Sequence, residues 1–425
     1  MCFSFVAAGC GSTGDTADTT SSDDTAATSS SGSLEDKDEI VIGYVGPFTG
    51  ALSEFTVAFD WVMEQALEKI NEDGGIYIEA YDKTLPVRVV TADSESDSTT
   101  ASEVATKLVL NEDVDILVGA WTPDNTTPVS AVAEKYGVPC LLSNSPAESW
   151  EASGTYEWSY GMMFSVEDIV KSYADALDKL ETNKIVGFLF DSEVDGVTFS
   201  GYLQTELESR GYTIVDPGRF ASSTTDYTTI ITQLKDAGCD IVCGNQTLPN
   251  FTTAWQQFNQ LGYIPKAMVM GKAIAYGSDV EALGDDLGNG LLTEIHWDRS
   301  YPYTSSLLEL TAEELAQNWE DEFNSQYPAC SFGYDVSLFE VLDIALNNCT
   351  DLEPETIRDA IASVEYEGIY GELSFEGTHV MKCPITTGQW LSGDTWEYEA
   401  TIVGSGSYPI IPDEDPIILP DTTME

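Results

Sequence analysis

The chain predicts an α/β protein of two doubly wound, Rossmann-like lobes, and three observations carry that reading. Short β-rich runs alternate with helical stretches from Glu39 onward. The alternation restarts after a break at 146–157, giving a second series of similar size. With 425 residues, 42% of them hydrophobic, the chain is long and apolar enough for two or three domains with sizeable cores.

The first series opens with the β-rich run Ile40-Val41-Ile42-Gly43-Tyr44-Val45, which Gly46-Pro47-Phe48-Thr49-Gly50 turns into a helix. Phe59, Val62, Met63, Ala66 and Ile70 fall at helical spacing, and Gly74-Gly75 stops them. A strand at 85–91, a helix near 100–110, a strand at 115–120, a helix near 128–136 and a strand at 138–143 follow. The second series reads as helix 166–180, strand 184–190, helix 198–210, strand 212–215, helix 228–237, strand 239–244, helix 251–261 and strand 266–270. Long helices at about 305–326 and 334–348 come next, and from Gly371 the chain is mostly strand and loop. Strands alternating with helices of this length imply right-handed βαβ units and parallel sheets covered on both faces. Two such lobes leave a cleft at the carboxyl ends of their sheets.

Charge and chemistry exclude several functions. Seventeen basic residues against 73 acidic ones give a formal net charge of −56. Such a surface repels phosphate, so neither nucleic acid nor an anionic membrane face is an expected partner. His296 and His379 are the only histidines, and no GxSxG, HExxH or GxxxxGK[ST] motif occurs. Gly288-Asn289-Gly290 lacks the third glycine of a dinucleotide site. Asp191, Glu193, Asp195 and Gly196 mimic an EF-hand start, but Tyr202 stands where calcium needs a bidentate Glu. No cofactor and no metal is expected. Cys2, Cys140, Cys239, Cys243, Cys330, Cys349 and Cys383 form no CxxC pair and read as small buried hydrophobes.

At the start, Ala7-Ala8-Gly9-Cys10 resembles a bacterial lipobox, in which cleavage precedes a cysteine that carries lipid. The stretch before it is short and lacks Lys and Arg, so residues 1–10 read as a truncated lipoprotein signal with Cys10 lipidated. Residues 11–33 contain only Gly, Ser, Thr, Asp and Ala, and 11–38 is expected to be a flexible linker. No apolar run after residue 10 is long enough to span a membrane, so the lipid would be the attachment.

Several segments in order resemble one family. The opening strand with Gly46-Pro47-Phe48-Thr49-Gly50, then Gly119-Ala120-Trp121-Thr122-Pro123, then Gly137-Val138-Pro139-Cys140-Leu141-Leu142-Ser143 are similar to type I periplasmic solute-binding proteins of the leucine/isoleucine/valine-binding branch. Asp226-Tyr227 with 234–242, and Gly371-Glu372-Leu373-Ser374-Phe375, continue the resemblance over roughly 39–400. The resemblance implies two lobes joined by a three-segment hinge, closing on a small solute and docking on an ABC permease. It implies lobe 1 at 39–158 plus 298–368, lobe 2 at 159–297 plus 369–400, and a tail at 401–425.

By the same resemblance, Phe55, Trp121, Thr122, Pro123, Asn144, Ser145 and Pro146 of the first lobe should touch the solute, with Asp195, Gln246 and Lys272 of the second. Phe55 and Trp121 would sandwich an apolar group, Asp195 would pair an amine and Lys272 an acid. Helix starts after Trp121 and near Phe55 offer N–H groups to a carboxylate. Met162–Phe164 and His296-Trp297 lie near the crossovers. Amino-acid-binding members place hydroxyl residues where this chain has Pro123 and Pro146, although Thr122 and Ser145 are adjacent. Gly119–Thr122 is also similar to amide- and urea-binding relatives. The expected solute is therefore amino-acid-like, an amide or an aromatic carboxylate, bound by a lipid-anchored extracytoplasmic monomer that transforms nothing. The alternatives are a ligand-sensing regulator on the same fold, or a carboxylate-based hydrolase.

Overall fold

The computed structural model describes residues 37–420 apart from Asp285 and Glu376; the lipidation expected at Cys10 lies outside the described residues. Its strands build two main sheets. The first has six strands in the order Val380–Lys382, Ser159–Phe164, Cys140–Pro146, Ile116–Ala120, Ile40–Gly46, Val87–Asp93, all paired in parallel. The second has seven, in the order Tyr398–Gly404, Thr386–Ser392, Leu292–Ile295, Ala267–Gly271, Ile241–Asn245, Ile185–Phe190, Thr213–Val215. It is parallel except that Thr386–Ser392 runs antiparallel to both of its neighbours, Leu292–Ile295 and Tyr398–Gly404.

Burial explains the patterning. Every residue of Ile40–Gly46 and Ile116–Ala120 is buried, as expected for parallel strands covered on both faces. Covering helices turn a single apolar stripe inward. In Val166–Asp178 the buried set includes Val166, Ile169, Val170, Tyr173 and Leu177, and the Ser165 side chain accepts the Asp168 N–H at its start. Helix Ala329–Asn347 is buried almost all round and runs through the first lobe's core, where Phe332, Tyr334 and Phe339 pack. No helix among the described residues is long and apolar enough to cross a membrane.

The chain passes from one sheet to the other three times: after Phe164, after Ile295, and between Lys382 and Thr386. Two expected boundaries move accordingly. Ser159–Phe164 pairs with Cys140–Pro146 in the first sheet, and Val380–Lys382 pairs with Ser159–Phe164, so 158/159 and 368/369 are not where the sheets divide. The apparent break at 146–157 contains helix Ala147–Ser153, which packs on the same lobe. The expected tail begins inside strand Tyr398–Gly404. Beyond it the chain is anchored to the second lobe: Gln389 exchanges hydrogen bonds of 2.8 Å with both N–H and C=O of Ile417, and the Leu419 N–H donates to Lys266 O at 2.9 Å.

Candidate functional site

Parallel strands that end side by side leave their last residues facing one crevice. Here the carboxyl ends of both sheets meet around one cavity. From the first lobe it is lined by Phe55, Trp121, Thr122, Asn144, Pro146, Phe164 and Cys330. From the second come Asp195, Phe199, Asn245, Lys272, Ala275, Glu294 and His296.

The lobes touch across it. Ser149 Oγ lies 3.3 Å from Thr198 Oγ1, and Asn144 Nδ2 lies 3.4 Å from His296 Nδ1. Phe55 meets Tyr276 edge-on at 5.8 Å, and Phe164 meets Phe199 at 6.3 Å.

Of the residues expected to touch a solute, Phe55, Trp121, Thr122, Asn144, Pro146, Asp195 and Lys272 reach this wall. Pro123, Ser145 and Gln246 do not. Ser145 is fully buried between Asn144 and Pro146, and alternation along the strand turns it to the opposite face. The same alternation puts Asn245 on the wall and sends Gln246 into the core, where its amide contacts Met270 Sδ at 3.5 Å. Pro123 is carried off the wall by the first turn of helix Thr122–Tyr136.

The expected aromatic sandwich is also corrected. Phe55 and Trp121 stack directly on each other, with centroids 5.2 Å apart and planes at 24°, leaving no slot between them. They form one aromatic wall, backed by Tyr334 edge-on to Trp121 at 6.1 Å.

Asp195 lies in the first turn of helix Val194–Ser209, and the part-buried Lys272 reaches it from the other side of the second-sheet strand ends. Lys272 Nζ holds Asp195 Oδ2 at 3.2 Å, and its backbone N–H donates to Glu294 Oε1 at 2.6 Å. Burial would lower the Lys272 pKa, but Asp195, Asp191 and Asp124 together raise it. Glu294 accepts a further hydrogen bond from Tyr173, and burial raises its carboxyl pKa. A Cβ at Gly271 would sit 2.7 Å from both Asn245 Nδ2 and Glu294 Oε2, so a side chain there would push the ends of both from their present places.

Two signs mark the cavity as more than a packing gap. Thr122 Oγ1 and Asp195 Oδ1 are buried without a hydrogen-bond partner, an uncommon and unfavourable state for native polar groups. In addition, Trp121 (φ 70°), Thr122 (φ 58°), Asn144 (φ 52°) and Lys272 (φ 66°) all hold left-handed backbone at the sheet ends. Such strain costs about 1–3 kcal/mol per residue and gathers at functional sites.

Sequence reasoning missed Phe199, Asn245, Ala275, Glu294 and Cys330 as wall residues, and had only the neighbourhood of Phe164 and His296. Glu294 carried a signal, a charged residue inside the apolar strand Leu292–Ile295, whereas Phe199 and Cys330 reach the wall only through the fold.

The fold and its cleft agree with comparisons to known proteins. The periplasmic binding protein family matches residues 39–395. The chain belongs to that family. Its members are solute-binding proteins of extracytoplasmic location. A Leu/Ile/Val-binding protein homolog of Brucella abortus (strain 2308) is 22% identical over 341 residues, 77% of this chain and 81% of the relative. The structure superposes on a branched-chain amino acid substrate-binding protein of Streptococcus pneumoniae in complex with isoleucine, with a TM-score of 0.71, 19% identity and coverage of 86% of this chain and 99% of that one. A solute-binding protein of R. palustris in complex with 4-hydroxybenzoate gives a TM-score of 0.69 at 14% identity, covering 91% of this chain and 99% of that one.

Proposed function

We propose that this protein is the extracytoplasmic receptor of an ABC importer, lipid-anchored at Cys10, which closes its lobes on a small amino-acid-like, amide or aromatic-acid solute and delivers it unchanged to a membrane permease. One observation carries the reading: a cavity where both sheets end, walled by side chains of both lobes and holding the unpartnered Thr122 Oγ1 and Asp195 Oδ1. The Ser149–Thr198 contact joins a helix of one lobe to a helix of the other and exists only with the lobes together, so a solute bridging them favours the closed form. Phe55, Trp121, Thr122, Asn144, Pro146, Asp195 and Lys272 are its proposed contacts.

A thermal-shift panel of amino acids, amides and aromatic acids tests this, because a ligand that binds only the folded protein raises its melting temperature. One class should respond, and NMR should recover that solute intact after long incubation. No response to any small polar organic, or consumption of the solute, would contradict the reading. Mass spectrometry of the N-terminal peptide from exported protein tests the lipid at Cys10.

A further inference from the structure

The family match ends at residue 395, yet the chain stays built into the fold as far as residue 420. Beyond strand Tyr398–Gly404 it makes a loop whose two ends are fixed together on the second lobe. The Ser405 N–H donates to Asp413 Oδ2 at 3.1 Å, and the Glu414 N–H donates to Ile402 O at 2.8 Å. Lys179 Nζ pins the base of the loop, reaching Val403 O at 2.9 Å, Asp413 Oδ1 at 3.0 Å and Glu414 O at 3.1 Å.

From that base the loop reaches the hinge. Ser407 Oγ donates to Asp168 Oδ1 at 2.6 Å, and the Tyr408 hydroxyl donates to Asp168 Oδ2 at 3.2 Å. Asp168 stands in the first turn of helix Val166–Asp178, immediately past the first crossover. The same hydroxyl lies 3.5 Å from the carbonyl oxygen of Cys383, in the third crossover. Cys383 is tied to the first lobe, because its N–H donates to Met163 O of the first sheet at 2.8 Å. Tyr301, which follows the second crossover, is close enough to act electrostatically on the Tyr408 hydroxyl. Ile411 is buried in the apolar cluster that holds Tyr301 and Cys383, and Tyr408 packs against that cluster. One tyrosine thus stands where all three crossovers converge.

Hinge motion is absorbed by a few residues at such crossovers. A side chain seated among three of them favours the setting in which its contacts are made, and here that setting has the lobes together. We propose that residues 405–414 clamp the hinge through Tyr408 and so set how rarely the empty protein opens. The proposal rests on the two-lobed receptor reading but on no particular solute, and its test uses none.

Cys330 on the cavity wall reports opening, whereas Cys140 and Cys243, fully buried in the cores of the first and second lobes, report loss of structure. Timed labelling of the solute-free protein with a thiol reagent, read by peptide mass spectrometry, follows all three at once. In the unaltered protein Cys330 should be protected. Tyr408→Phe, which loses only the hydroxyl, should speed its labelling about fivefold, the net worth of one hydrogen bond, and Tyr408→Ala should speed it further. Cys140 and Cys243 should stay as slow as before, and Ile410→Ala, which alters an exposed side chain of the same loop, should change nothing. Unchanged Cys330 labelling in Tyr408→Phe overturns the proposal, as does a freely labelled Cys330 in the unaltered protein. A rise at Cys140 and Cys243 in step with Cys330 in Tyr408→Phe also overturns it, since the tyrosine would then support the fold rather than the hinge. None of these outcomes touches the receptor reading, which the solute panel decides separately.

Discussion

Asn144 Nδ2 approaches Nδ1 of His296 at 3.4 Å, tying the end of a first-sheet strand to the residue just past a second-sheet strand. Burial keeps this imidazole neutral by pushing its pKa from 6.5 down to about 3. Between those values the unfolded chain binds a proton that the native protein does not. Stability from this group is therefore present above pH 6.5 and is lost as the pH falls toward 3, at about 1.4 kcal/mol per pH unit. Melting temperatures from pH 7 to 4 should fall less steeply in His296→Gln than in the unaltered protein. Parallel curves would show that His296 is not buried neutral.

Ser149 and Thr198 supply a covalent test of closure. Their hydroxyls are 3.3 Å apart across the two lobes, close enough for a disulfide after small adjustment. The cysteines among the described residues are buried and unpaired, so they should not compete for oxidation. Oxidised Ser149→Cys/Thr198→Cys should slow both entry and escape of solute by orders of magnitude, and reduction should restore exchange. Unimpeded exchange in the oxidised form would mean that the lobes do not part to admit the solute.

Trp121 is both wall and core, being 1% exposed. Trp121→Ala should destabilise the protein by about 3–5 kcal/mol, since it leaves a cavity beneath Phe55 and Tyr334. Trp121→Phe retains a ring against Phe55 and should keep most of the stability while reducing affinity. Denaturant titration with calorimetry separates the two effects.

Asp279 is buried in the second lobe, where its Oδ2 accepts the Tyr276 N–H at 3.2 Å, and Glu54 of the first lobe acts on it. Burial first, and then the Glu54 carboxyl, raise its pKa well above the usual carboxylate range. The native protein keeps a proton that the unfolded chain releases above about 3.8, so this stabilisation is full at low pH and is lost as pH rises toward the raised value. Asp279→Asn mimics the protonated acid. It should match the unaltered protein near pH 4 and exceed it in melting temperature at pH 7 and above; equal curves throughout would show that the acid is ionised in the fold.

Much of this was legible in the chain. Apolar runs such as 40–45 and 115–120 announce buried parallel strands, and the order of strand-end motifs leads to Trp121, Asn144 and Lys272 at the cavity. Legibility failed where a local signal was read too coarsely or did not exist. The break expected at 146–157 holds helix Ala147–Ser153, too short for its periodicity to stand out. The helix expected from about residue 305 begins at Ala312, as the capping box of Thr311 and Glu314 could have told. Ser145 and Gln246 were misplaced by one step of a two-residue alternation. Cys330 reaches the wall because the chain crosses between sheets, a relation no short segment encodes.

The left-handed backbone at Trp121, Thr122, Asn144 and Lys272 has a practical corollary for anyone hardening this scaffold as a biosensor. Glycine at Thr122 or Asn144 relaxes the main chain, so these two positions would rank high in a search for heat-resistant variants, whereas at Trp121 the lost packing outweighs the relief. Each gain would delete a side chain from the recognition surface. Thermal robustness should instead be sought on the outer helices, where it need not compete with selectivity.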